Sequence, residues 1–128
     1  MQPEIVQVTE EVKIINVKRA CIDNSKFEDV SATGLRITDA NLSDLEIEGA
    51  QLGGAYIHNI GMPPQGHPAY SPDAKQRPLK FENCDLNGST IRNCNLSAVD
   101  IDDCDIKGMK IFGVLVEDLL SEYHKSKS

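Results

Sequence analysis

Large aromatic side chains are scarce: 128 residues hold no Trp, three Phe and three Tyr. An interior without big rings has to close around Leu, Ile, Val, Ala and Cys, which disfavours ordinary globular packing of large side chains. Basic residues are the minority, with 13 Lys and Arg against 20 Asp and Glu and a net charge of −7. A direct nucleic-acid binder needs cations to neutralise phosphates, so that class is disfavoured. Long hydrophobic runs are missing too. The longest apolar or Gly stretch, residues 111–116, falls far short of the roughly 20 residues that cross a bilayer. The segment Met1-Gln2-Pro3-Glu4 has neither the basic nor the apolar part of a secretory leader, so a cytoplasmic protein with no membrane contact is expected.

Paired cysteines are also lacking. Cys84, Cys94 and Cys104 stand ten residues apart and Cys21 stands alone, without the short spacing of zinc ligands. The expectation is four small, buried thiols, no metal and no disulfide framework.

What the sequence does contain is a repeat. An apolar residue recurs every five positions at Val17, Ile22, Phe27, Ala32, Ile37, Leu42, Ile47, Leu52, Ile57 and Met62. It restarts in a new phase at Phe81, Leu86, Ile91, Leu96, Ile101, Ile106 and Ile111. Two residues before each centre lies a second small or apolar residue, such as Ala20, Ala40, Cys84 or Cys94. Two residues after most centres of the first block comes Asn, Asp or Gly, as at Asn24, Asp29, Gly34, Asp39, Asp44, Gly49, Gly54 and Asn59.

A period of five matches neither the 3.6 of a helix nor the 2.0 of a strand. It suits a chain that turns a corner every five residues. The centre and the residue two before it share one side of an extended segment, and the Asn, Asp or Gly supplies the bent or left-handed backbone of the corner. Four corners close a coil of about 20 residues, and stacked coils sit about 4.8 Å apart.

Ala40-Asn41-Leu42-Ser43-Asp44, Cys84-Asp85-Leu86-Asn87-Gly88 and Cys94-Asn95-Leu96-Ser97-Ala98 closely match the unit Ala-(Asp/Asn)-Leu-x-x, so the sequence resembles the pentapeptide repeat proteins. The resemblance runs over residues 15–112 apart from one insertion. It implies an all-β solenoid, a right-handed quadrilateral β-helix of about four coils, with a short C-terminal capping α-helix. The expected organisation is an N-terminal cap at 1–14, a first β-helix block at 15–62, a Pro-rich loop insertion at 63–78, a second block at 79–112, and a C-terminal helix and tail at 113–128.

Five of the six prolines lie in the insertion, which excludes a helix or a paired strand there. Gln65, His67, Tyr70 and Arg77 are its candidate contact residues. If Met62 ends the first block, Phe27, Ile47, Phe81 and Ile101 form one column and Ile37, Ile57, Ile91 and Ile111 another, and like side chains stacked in register suit a solenoid. Residues flanking the first of these columns are then Glu28, Glu46, Glu48, Glu82, Asp100 and Asp102, relieved only by Lys26 and Lys80. The opposite face carries Arg36, Tyr56, His58, Arg92, Lys110 and Phe112. The acidic face is read either as a solvated, aggregation-resistant surface or as a partner-binding one, since stacked like charges oppose folding.

Residues 114–125 place Leu115, Val116, Leu119, Leu120 and Tyr123 on one side of an amphipathic helix. It is expected to cover the last coil, and the resemblance adds that such a helix pairs two rods in some family members, so a homodimer is a further expectation. His58, His67 and His124 have no partner ligand at helical or strand spacing, and Gly53-Gly54 is followed by no helix to receive a phosphate. No catalytic, cofactor or metal site emerges. The reading is a non-enzymatic protein-binding or scaffold module with no cofactor. The alternative, implied by the resemblance, is a DNA-mimicking binder or protector of DNA gyrase of the quinolone- or toxin-resistance type.

Overall fold

Left-handed residues punctuate the chain every five positions. In the computed structural model, which describes residues 2–128, the chain divides into two units, Met1–Ile57 and His58–Ser128. In the first unit Arg19, Asn24, Asp29, Gly34, Asp39, Asp44, Gly49 and Gly54 have φ between 51° and 77°. In the second, after Asn59, the same range holds Asn83, Gly88, Asn93, Ala98, Asp103, Gly108 and Gly113. Each of these residues follows an apolar centre by two positions. The positive φ explains the composition there, since Gly, Asn and Asp enter the left-handed region at least cost.

Two kinds of corner alternate. One is closed by a backbone hydrogen bond of 2.8 to 3.2 Å: Ser25 N–H to Ile22 O, Leu35 to Ala32, Leu45 to Leu42 and Ala55 to Leu52 in the first unit, and Ser89 to Leu86, Val99 to Leu96 and Met109 to Ile106 in the second. The left-handed residue is the third of the four, which is the type II signature. The other corner, at Arg19, Asp29, Asp39, Gly49, Asn83, Asn93 and Asp103, bends without such a bond. Two successive pentapeptides therefore form one structural period of ten.

The alternation assigns a task to the Asp or Asn ahead of the centre. Asn41, Asp85, Asn95 and Asp105 each accept, through Oδ1, the backbone N–H two residues on, at 2.9 to 3.1 Å. These Asx turns lead directly into the hydrogen-bonded corners. Cysteine has a matching task on the other side: the thiols of Cys84, Cys94 and Cys104 donate to the carbonyls of Glu82, Arg92 and Asp102, at 3.1 to 3.3 Å, across the unbonded bends. All four cysteines are free and exposed, which corrects the expectation of buried thiols: their hydrogen bonds are local, and small size at a corner accounts for them.

Among the described residues the paired strands are confined to the C-terminal hairpin, and the backbone bonds of the repeats close turns within one corner. The centre side chains remain exposed, from Leu42 at 44% to Ile91 at 68%, except half-buried Ile106. A single repeat cannot bury its own apolar face; only a neighbour stacked on it can.

Ala98 (φ 61°) stands where the other bonded corners have Asn, Asp or Gly. A Cβ in this region is strained, so Ala98→Gly is expected to raise stability by about 0.5–1 kcal/mol and Gly88→Ala to lower it by about 1 kcal/mol. Urea midpoints of the two variants, read against the parent chain, check both signs.

The chain ends in a hairpin and a helix. Strand β1 (Lys110–Ile111) pairs antiparallel with β2 (Val114–Leu115), Ile111 opposite Val114. Phe112 and Gly113, with φ of 50° and 77°, make the two-residue loop a type I′ turn. Helix α1 (Val116–Lys127) begins two residues later than the sequence pattern predicts, because the hairpin takes 114–115. No side-chain cap closes its N-terminus. Instead the Glu117 carboxylate, in the first turn, accepts the Gly108 N–H at 2.9 Å, and Val116 N–H reaches Met109 O at 2.9 Å. Glu117 and Asp118 at the start and His124, Lys125 and Lys127 at the end complement the helix dipole. Ile106, Met109, Leu115 and Val116 are half-buried here, so the helix base lies against the last repeat. No helix is long and apolar enough to cross a membrane among the described residues.

Candidate functional site

The six candidate acids all fall in repeats that end in the unbonded bend. In the first unit Glu28 follows Phe27, and Glu46 and Glu48 flank Ile47; in the second, Glu82 follows Phe81, and Asp100 and Asp102 flank Ile101. All six are exposed. Glu82 pairs with Lys80 at 3.2 Å, an exposed contact of little energetic weight. The carboxylates of the other five enter no hydrogen bond or ion pair among the described residues.

This division was not visible in the composition. Asp85 and Asp105 are committed to Asx turns, whereas Asp100 and Asp102, in the same unit, leave their carboxylates to solvent. The signal that separates them is position: one residue before a Leu or Ile that opens a bonded corner, against either side of a centre that leads to a bend.

The insertion is built from turns. His67 N–H bonds to Pro64 O and Tyr70 N–H to His67 O, both at 3.0 Å, and Ala74 N–H bonds to Ser71 O at 3.3 Å. Gln65 precedes Gly66 (φ 95°) inside the first turn. His67 Nδ1 accepts the Ala69 N–H at 3.0 Å, so the imidazole braces the loop and its neutral form carries the proton on Nε2. Tyr70 is 42% exposed and Pro63 half-buried. Gln65 and Arg77 are exposed, and Arg77 is engaged in an interaction within the chain. Gln65, His67 and Tyr70 are thus presented by a sequence of turns that costs little to order on binding.

No group of three or more His, Cys, Asp or Glu is placed to hold a metal ion among the described residues. The second unit holds one open apolar groove of about 420 Å³, lined by Cys94, Leu96, Val99, Ile101, Ile111 and Phe112. Its walls offer apolar contact and a single thiol, with no acid–base pair.

Five-residue units, each closed by a left-handed residue and ended by a helix, define a repeat module. The family model described as Pentapeptide repeats matches residues 80–114, in eight copies, and that part of the chain is a pentapeptide-repeat segment. No curated protein and no solved structure matches the chain.

Proposed function

We propose that the chain is a non-enzymatic protein-binding module that acts in the cytoplasm, its repeats wound as a right-handed quadrilateral β-helix of about four coils. The observation that carries this reading is the division of labour among the acids. Those ahead of bonded corners are consumed by the backbone, while Glu28, Glu46, Glu48, Asp100 and Asp102 stay exposed beside their apolar centres. The exposed apolar centres support the winding, because only a neighbour stacked on each repeat covers them. The bound partner presents cationic side chains to the acids, and Gln65, His67 and Tyr70 add a second contact from the loop. Four unpaired thiols suit a reducing compartment.

The test is affinity capture from the native cell followed by direct binding measurement with the partner recovered. Replacing Glu28, Glu46, Glu82 and Asp102 with Gln is expected to weaken binding at least about tenfold, with stability unchanged or raised. Unchanged binding removes the acidic face from the interface, and loss of stability assigns those carboxylates to the fold. Deleting residues 65–77 tests the loop, and equal recovery of the partner counts against it.

The net charge of −7 favours one second reading, a DNA-like decoy that binds and protects DNA gyrase. Supercoiling by purified gyrase, titrated with this protein with and without a fluoroquinolone, decides it. Absence of both inhibition and protection at micromolar protein removes that reading and leaves the first intact.

A further inference from the structure

Phe112 stands at the hairpin tip against its own backbone preference. Its φ of 50° belongs to a type I′ position that favours Asn or Gly, and its ring is fully exposed, at 102%. A strained ring turned to solvent adds nothing to the fold, and such outliers gather at binding surfaces. Two cations accompany it in the second unit. Lys110 and Phe112 flank the centre Ile111, and Arg92 follows the centre Ile91 by one position, as Phe112 follows Ile111. Both cations are exposed, and their side chains enter no hydrogen bond or ion pair among the described residues. In the wound β-helix proposed above, Ile91 and Ile111 stack in adjacent coils, so the outward Arg92 and Phe112 lie about 4.8 Å apart. The positions flanking these two centres are Thr90, Arg92, Lys110 and Phe112, with no acid among them, whereas Glu82, Asp100 and Asp102 flank Phe81 and Ile101.

A guanidinium stacked on a ring keeps its fork of N–H donors free for a carboxylate, which it holds through two parallel bonds. The ring is left to meet an apolar side chain, and Lys110 a second carboxylate. We propose that Arg92, Lys110 and Phe112 dock an acidic protein segment in which an apolar or aromatic side chain lies between carboxylates. The inference rests on the winding proposed above and gives the module a second contact surface, opposite in charge preference to the candidate acids. Charge separates this partner from a nucleic acid. A phosphate backbone needs many cations and would run past the acidic remainder of a chain with net charge −7, whereas a short peptide has to match only this face.

Fluorescence anisotropy of labelled poly(Glu,Tyr), a random acidic and aromatic copolymer, titrated with the full chain tests the proposal. Polyglutamate and single-stranded oligothymidylate are the comparison probes. The copolymer is expected to bind at least about tenfold more tightly than either, and salt to weaken it. Phe112→Asn and Arg92→Asp are each expected to lower its affinity about tenfold or more. Phe112→Tyr keeps the ring and the binding, and replacing Glu28, Glu46, Glu82 and Asp102 with Gln leaves the binding intact. The Tm of Phe112→Asn is expected to be unchanged or raised, because Asn suits the left-handed turn. A copolymer that binds no better than polyglutamate overturns the proposal, as does a preference for oligothymidylate. So does a Phe112→Asn chain that binds like the parent or melts earlier, the latter making the ring structural. Ile91→Asp separates this failure from that of the winding: a variant that stays folded overturns both, and one that unfolds while Phe112→Asn and Arg92→Asp bind like the parent overturns the docking alone.

Discussion

Ending the chain after Gly113 is expected to cost about 3–6 kcal/mol and to remove cooperative unfolding. Four side chains set the scale. Ile106, Met109, Leu115 and Val116 are half-buried near the base of α1, and half of a full burial of about 1.5–3 kcal/mol for each gives that range. Two backbone-directed bonds go with them, from Gly108 N–H to Glu117 and from Val116 N–H to Met109 O. Loss of β2 also leaves β1 without a partner and opens the end of the repeat. An exposed, unpaired end of this kind promotes aggregation. Circular dichroism melts of the truncated and full chains check the loss, and a truncated chain that melts cooperatively at the parent temperature refutes the role given to the cap. Glu117→Gln, which keeps an acceptor for Gly108, is expected to lie close to the parent.

The second large effect concerns the repeat itself. Ile91→Asp is expected to prevent folding of the second block, with a cost of roughly 5 kcal/mol. In a wound β-helix the centre at 91 lies between those of neighbouring coils, and a carboxylate there loses the apolar contact and is desolvated without a partner. Arg92→Asp, one residue on and on the outer side, is the control and is expected to change stability by less than about 0.5 kcal/mol. Urea unfolding separates the two variants. Equal tolerance of both would mean that the centres remain exposed in solution and that the coils of the proposed β-helix do not stack.

The repeat was legible because a corner makes local demands. Asn24, Gly34, Asp44, Gly88 and Gly108 have the left-handed φ that their residue types favour, and they lie two positions after their centres, as their spacing predicts. Helix α1 was legible from its apolar spacing. Its start was not, because Val114 and Leu115 suit a helix face as well as a strand, and only pairing with Lys110 and Ile111 decided between them. The candidate acids were legible as a list and not as a site. Asp85 and Asp102 are the same side chain in one unit, and the corner each precedes decides whether the carboxylate is used by the backbone.

Sequence by itself determined the period, the phase shift across the insertion, the left-handed corners and the excess of acid. All of these follow from one residue's backbone preference or from simple addition of charge, and neither needs a neighbour far along the chain. Tertiary structure decided the rest. It alternated two kinds of corner, left the four cysteines exposed with three thiols on backbone carbonyls, set Glu117 on Gly108, and put Phe112 beside an apolar groove. Those outcomes depend on which groups meet across a turn or a hairpin, and a five-residue pattern carries no information about that.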